Sequence, residues 1–270
     1  MSNYKVSELF IYPIKSLGGI SLKEAEVTDR GFKYDRRWML IDSNGNFLSQ
    51  RKIPQMALIS VDIYNEKILL RHKKTSEQIE FDINETTKKK FQAKVWNDVV
   101  DVLHVNSMID DWLSMTLNAK CKLVFMPDET VRPVDKNYAI ENERTSLSDG
   151  YPFLIIGQES LNDLNSRLIE KVGMDRFRPN IVFVGGEPFD EDKFNSFKIN
   201  DVIFYSVKPC SRCLITTTDQ SSGERKKEPL STLSTYRIVN NKVLFGQNLL
   251  HKGNGAIKTN DELDILSWKK

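Results

Sequence analysis

A chain of 270 residues with 40% hydrophobic and 28% charged side chains can bury a substantial core, which excludes global disorder. Its formal net charge of +2 is too small to argue for a nucleic-acid or membrane partner, though local basic clusters can still serve a small anion. No apolar run approaches the length of a membrane-spanning helix, and the opening Met1-Ser2-Asn3-Tyr4-Lys5 lacks the apolar stretch of a signal peptide, so a cytoplasmic chain is expected.

In chain order, the first elements are strands. Residues 37–41 and 47–50 flank Ser43-Asn44-Gly45-Asn46, where Asn-Gly supplies the positive φ angles of a tight hairpin turn. Residues 57–64 and 68–71 form a second predicted hairpin across Asn65-Glu66-Lys67. Ile79, Phe81 and Ile83 alternate with polar neighbours, the period of a half-buried strand, and residues 99–105 are a valine-rich strand. Ser107 and Asp110 then resemble a capping box, and Ile109, Trp112, Leu113 and Leu117 share one helical face. Residues 121–126 return to strand.

Residues 127–149 are polar and irregular, as expected of a linker or a long functional loop. Beyond them come a strand at 153–156, a helix carrying Leu161, Leu164, Leu168 and Ile169, and a buried strand at 181–184 ending on Gly185-Gly186. Residues 202–207, 214–218, 243–245 and 263–266 read as further strands. The expected fold class is mainly β with a few helices (α+β), arranged in two β-rich lobes.

The segment Lys208-Pro209-Cys210-Ser211-Arg212-Cys213 holds two of the three cysteines; with Cys121 alone besides, no disulfide framework is possible and reduced thiols are expected. Four chemistries compete for this Cys-x-x-Cys. A structural zinc site needs about four ligands, and His72, His104 and His251 show no ligand spacing. A thioredoxin-like dithiol wants its first cysteine at a helix N-terminus, whereas the Leu-Ile-Thr-Thr-Thr after Cys213 is β-branched and reads as strand. Small buried hydrophobes are the plainest reading, and Cys210 suits it. Finally, one thiolate can ligate a transition metal held mainly by a large organic cofactor, with Arg212 favouring the ionised thiol. Residues three apart on an extended segment face opposite ways, so one cysteine can line a pocket while the other packs inward.

An anion-binding set lies elsewhere in the chain. Lys15 and Ser16 precede Gly18-Gly19, whose backbone amides an anion can approach without obstruction. Arg178 precedes Pro179, which biases its backbone towards extended conformations, and its fork suits phosphate. Asn180 offers a donor and an acceptor to a heterocycle with paired polar edges. Asp35-Arg36-Arg37 reads equally as a surface salt-bridge cluster. The spacing matches no P-loop or dinucleotide fingerprint.

Taken in order, Tyr12-Pro13-Ile14-Lys15-Ser16, Asp35-Arg36-Arg37-Trp38, Ser49-Gln50-Arg51, Phe177-Arg178-Pro179-Asn180, Cys210 to Thr217, Lys227-Glu228-Pro229-Leu230 and Phe245-Gly246-Gln247-Asn248 form one pattern. It resembles the molybdenum cofactor sulfurase C-terminal (MOSC) domain proteins, and more closely the two-part family of the mitochondrial amidoxime-reducing component and its bacterial relatives. The resemblance implies an N-terminal β-barrel-like module over residues 1–126, a linker or long loop over 127–149, and a MOSC β-barrel domain over 150–270. It also implies a molybdenum–molybdopterin cofactor whose metal is ligated by Cys213, the catalytic cysteine. By the same resemblance Lys15, Ser16, Arg36, Arg178, Asn180, Ser211 and Arg212 hold the pterin and its phosphate. Gly150 and Tyr151, where some relatives carry Ala-Ser, and Asn248 are expected against the cofactor. The implied activity is reduction of N-hydroxylated small molecules, with Asp149 a candidate proton donor; the alternative is a cofactor or sulfur carrier without turnover. Three cysteines cannot supply the four thiolates of an iron–sulfur cluster. Electrons are therefore expected from a separate ferredoxin- or flavoprotein-like protein.

Overall fold

The computed structural model describes residues 4–269. Within them, nineteen strands accompany three α-helices, at Ser107–Leu117, Gln158–Ser166 and Leu230–Tyr236. The largest sheet has nine strands and runs from Asp264–Trp268 through Phe194–Ile199, Val202–Ser211, Lys242–Lys252, Phe153–Gly157, Ile181–Val184 and Lys5–Ile11 to Ile20–Leu22. The short strand Ile238–Val239 pairs beside Lys242–Lys252. One pair, Phe153–Gly157 with Ile181–Val184, is parallel, and the helix Gln158–Ser166 supplies the crossover that a parallel pair needs. Strands from the start of the chain thus close one end of a sheet built mainly from its second half. The two lobes read from the sequence share that sheet.

Phenylalanines fill the core beneath it. Phe153 meets Phe204 edge-on at 5.3 Å and Phe32 at 4.9 Å, while Phe197 stacks on Phe204 at 5.3 Å. A second core lies under smaller sheets, where Trp38–Ile41, Lys122–Phe125, Asp98–His104 and Lys90–Val95 pair in that order. Ile109, Leu113 and Leu117 from the helix Ser107–Leu117 are buried against it, and Trp112 is half-buried, as their spacing requires.

Several elements differ from expectation, each for a local reason. The helix cap is Asn106, whose Oδ1 accepts from the Ile109 N–H at 2.8 Å. Asp110 turns inward instead, accepting from the Leu123 N–H at 2.8 Å and bonding His104 Nε2 at 2.8 Å. Residues 47–50 make a single bridge, Phe47 to Ile41, because Asp42 draws in the amides of Asn44 and Asn46, both at 2.9 Å. The next hairpin turns on Asn65-Glu66 alone, both at positive φ, so Lys67 faces Tyr64 within the ladder. Residues 57 and 58 belong to the 3-10 turn Pro54–Leu58 rather than to the strand. Ile169 lies beyond its helix and is fully exposed.

Residues 127–149 form an ordered loop rather than a free tether. The Arg132 guanidinium is buried and donates to Asp98 Oδ2 at 2.8 Å, Ser146 O at 2.9 Å and Ser148 O at 2.6 Å. One side chain therefore fixes the carbonyls on either side of Leu147. Arg132→Ala should strand those acceptors and lower unfolding free energy by about 2–3 kcal/mol. Urea denaturation checks this, and an unchanged midpoint would refute the bracing role.

Candidate functional site

The site begins with Tyr12, just past the end of the strand Lys5–Ile11. Its buried ring lies between two guanidinium groups, Arg178 at 4.1 Å and Arg36 at 4.5 Å. Ser16, Arg36 and Arg178 all take left-handed backbone angles, at φ 68°, 50° and 56°. Non-glycine residues pay for that conformation, and it persists where side-chain contacts over-determine it. At Arg178 the left-handed angle replaces the extended backbone expected before Pro179. The contacts responsible are an Nη1 bond to Leu17 O at 2.8 Å and the stacking on Tyr12.

Asp35 is buried, accepting from the Tyr12 N–H at 2.8 Å and from Arg36 Nη1 at 2.6 Å. Asp35-Arg36 is thus an internal pair and not a surface cluster. Arg36 also reaches Asn180 Oδ1 at 3.3 Å and Arg178 O at 3.2 Å. Burial, reinforced by the Arg36 charge, pushes the Arg178 pKa down to about 10. Its Nη2 is buried without a partner among the described residues.

Lys15 is also buried, donating to Leu147 O at 2.8 Å and to Asp149 Oδ1 at 2.6 Å. Burial pushes its pKa down to about 8, although Asp149 opposes the shift. The Asp149 side chain is 64% exposed at the rim and accepts from the Trp96 indole N–H at 3.2 Å. Its surroundings partly shield it from water, yet Lys15 and then Arg51 hold its carboxyl well below the usual range. Asp149 is therefore ionised at neutral pH and accepts hydrogen bonds, which removes it as a ready proton donor.

The opposite wall carries the thiols. The strand Val202–Ser211 pairs with Lys242–Lys252, and its register slips between Ser206 and Lys208 and again between Pro209 and Ser211. Such bulges re-aim side chains. Cys213 then begins the 3-10 turn Leu214–Thr217, where a strand was expected. Threonine hydroxyls make that turn possible: Thr216 Oγ1 donates to Cys213 O at 3.0 Å and Thr217 Oγ1 to Leu214 O at 2.8 Å. Arg212 donates through Nη1 to Cys210 Sγ at 2.9 Å and through Nη2 to Phe177 O at 2.5 Å, leaving Nε buried and unpaired. Both thiols are half-buried. Among the described residues, no group of three or more His, Cys, Asp or Glu could hold a metal.

These walls enclose a pocket of about 370 Å³. Every site residue named from the sequence lines it: Lys15, Ser16, Arg36, Gly150, Tyr151 and Arg178, then Asn180, Ser211, Arg212, Cys213 and Asn248. Their environments differ. Asn180 is largely committed to the protein, donating to Phe10 O at 3.2 Å and accepting from the Leu154 N–H at 3.2 Å. Asn248 donates to Lys208 O at 3.2 Å. A Cβ at Gly150 would meet nothing within 4 Å, so the larger residue of some relatives fits there. The Tyr151 hydroxyl is buried and unpaired. Cys210 packs against the core and also lines the pocket, so the two thiols share one cavity. Sequence reasoning missed Lys208 and Lys242 in the lining. The Lys208 ammonium lies 4.2 Å from the Tyr138 ring; its place before Pro209-Cys210 was the available signal.

The lining brings six cations to one carboxylate, Asp149. Three of its residues, Arg178, Arg212 and Tyr151, carry buried polar atoms without partners. Unpaired buried donors are costly, and a polyanionic ligand would satisfy them. Residues 3–120 match the MOSC N-terminal beta barrel domain, and residues 142–264 match the MOSC domain. The chain belongs to the MOSC family. It is 34% identical to mitochondrial amidoxime-reducing component 1 of Mus musculus, over 97% of this chain and 82% of that one. With the Homo sapiens counterpart the identity is 31% over the same shares. Against molybdenum cofactor sulfurase of Solanum lycopersicum it is 30%, over 92% of this chain and 33% of the relative. No helix among the described residues is long and apolar enough to cross a membrane.

Anion binding in this MOSC pocket should depend on Lys15 protonation. Because burial sets its pKa near 8, the charged fraction is high at neutral pH and falls as pH rises. Apparent affinity for sulfate, whose own charge is constant here, should drop roughly tenfold from pH 7 to pH 9. In Lys15→Met it should be weak and flat with pH. Thermal-shift titration reads both; an unchanged slope in the variant would exclude Lys15 from anion binding.

Proposed function

We propose that the pocket holds a molybdenum–molybdopterin cofactor and that the protein reduces N-hydroxylated small molecules. The observation that carries this is a single cavity lined by six cations, with unpaired polar atoms on Arg178, Arg212 and Tyr151, that also exposes the Cys213 thiol. Such a lining suits a phosphorylated organic group, while a lone thiolate suits a soft-accepting metal whose other ligands come from that group. The names of the amidoxime-reducing and sulfurase relatives support the same chemistry. When bound, the cofactor supplies a redox-active metal able to accept oxygen.

The chain's own residues then bind and orient. Arg178, with the spare N–H on Nη2, and Lys15 take the phosphate. Arg36 keeps Arg178 and Asn180 in place through its bonds to Arg178 O and Asn180 Oδ1. Ser211 and Arg212, which line the same cavity, would help hold the organic ring system. Cys213 is the protein's ligand to the metal. Each turnover consumes two electrons and two protons, so that R–NHOH becomes R–NH2 and water. The electrons come from a separate ferredoxin- or flavoprotein-like donor.

A second reading is a carrier of the cofactor or its sulfur without turnover. The similarity to the sulfurase and a second pocket thiol, Cys210, favour it.

The test uses protein from a molybdenum-competent host, N-hydroxybenzamidine and reduced methyl viologen. Wild type should form benzamidine. Cys213→Ser should abolish turnover, whereas Cys210→Ala should retain most of it and lose about 1 kcal/mol of stability through packing. Equal loss from both variants would point to a dithiol instead, and a loaded but inactive wild type would favour the carrier.

A further inference from the structure

The motif Ser49-Gln50-Arg51 does not line the pocket, yet its glutamine is fully buried. Gln50 lies face to face with Gln220, another buried side chain from the far half of the chain. Gln50 Nε2 donates to Gln220 Oε1 at 3.2 Å, and Gln220 Nε2 returns a bond to Gln50 Oε1 at 3.0 Å. The second hydrogen on each nitrogen goes to backbone. Gln50 Nε2 donates to Ser16 O at 2.9 Å, and Gln220 Nε2 to Thr218 O at 3.0 Å. Each amide nitrogen thus uses both its hydrogens and each amide oxygen accepts one bond, as a facing pair of amides allows.

The two ends of this run of bonds belong to two parts of the pocket. Ser16 lines the cavity beside Lys15 at a left-handed φ of 68°, a conformation that needs contacts to persist. Thr218 closes the turn after Cys213: its N–H donates to Ile215 O at 3.0 Å, and the Thr216 N–H donates to Cys213 O at 3.1 Å. Cations brace the glutamines crosswise. Arg225 Nη2, from the second half of the chain, donates to Gln50 O at 2.5 Å, and Lys73 Nζ, from the first half, to Gln220 O at 2.5 Å. Further anchors of the turn come from the second half. They are Arg176 Nη1 on Thr216 O at 3.4 Å and the Lys226 N–H on Thr217 O at 3.1 Å. Gln50 and Lys73 bring the first half of the chain to it.

We propose that Gln50 and Gln220 are positioning residues that hold the Ser16 side of the pocket in register with the Cys213 turn. The inference rests on reading the pocket as the site of an anionic cofactor whose metal takes Cys213. One organic group carrying both phosphate and metal spans a fixed distance, so the segments that anchor its ends must keep theirs. Neither glutamine touches the ligand; both act through the carbonyls of Ser16 and Thr218. Without the amide pair the two segments sample more arrangements, and apparent affinity falls with the fraction that remains competent.

The test changes one side of the pocket and reads the other, on protein made without a molybdenum supply. Gln220→Met should lower calorimetric sulfate affinity at pH 7 at least about threefold, although Gln220 does not line the pocket. Gln50→Met, in a Cys210→Ala background, should speed iodoacetamide alkylation of Cys213 at least about threefold. The double variant Gln50→Met/Gln220→Met should show effects no larger than the singles, because the tie is already broken. It leaves no unpaired amide, so it serves where a single variant does not fold. Phe81→Leu, a core change outside the lining, should leave both readouts at wild-type values and so separates the tie from a general loss of stability. Wild-type sulfate affinity in Gln220→Met, an unchanged alkylation rate in Gln50→Met, or equal effects from Phe81→Leu would overturn the proposal. A wild type without sulfate affinity, or without molybdenum and pterin from a competent host, would instead overturn the reading of the pocket. The alkylation rates would then still decide the tie.

Discussion

Two arginines, Arg178 buried and Arg36 largely so, flank the Tyr12 ring, Lys15 is buried beside Phe47, and only Asp35 among the carboxylates bonded to them is buried. Removing Lys15, Arg36 and Arg178 from water is unfavourable unless each gains hydrogen bonds and opposite charge. Arg36 has both, through Asp35. Arg178 has the Tyr12 face and one carbonyl, and its spare nitrogen is unpaired. Lys15 leans on Asp149 at the exposed rim. Burial pushes the pKa values of Lys15 and Arg178 down, and the nearby carboxylates only partly oppose it. Left-handed backbone at Ser16, Arg36 and Arg178 adds to the cost. A ligand that brings negative charge would offset that cost.

Much of this site was legible in the sequence. The motifs around Lys15, Arg36, Arg178 and Cys213 are far apart in the chain, and the structure gathers all of them around one pocket. Residue chemistry marked Lys15, Ser16, Arg178, Asn180 and the two cysteines as candidates, and only the ordered resemblance to a known family joined them with Arg36 into one site. Conformation was less legible. Pro179 biases Arg178 towards extended backbone, but the side chain's anchoring on Leu17 and Tyr12 overrides a local preference of that size. The threonines after Cys213 look like strand, yet their hydroxyls satisfy carbonyls three residues back and stabilise a turn. The strand Lys90–Val95 escaped notice because only Ala93 and Val95 are buried while Lys90, Gln92 and Lys94 face water.

Long-range electrostatics was the least legible layer. Asp149 acts as counter-ion to Lys15 only because Arg132 pins the preceding loop, and because Trp96 and Arg51, stacked at 4.0 Å, stand against it. Those partners come from four separate segments. No spacing rule links them, so Asp149 read from sequence as a possible acid is held ionised in the fold.

The central claim is that this MOSC pocket is built for a phosphorylated pterin whose metal takes Cys213. Its most direct test is to measure molybdenum by elemental analysis and pterin by fluorescence in one preparation from a molybdenum-competent host. The account predicts near-stoichiometric amounts of both, in equal ratio. Zinc without pterin, or neither metal nor pterin, would contradict it.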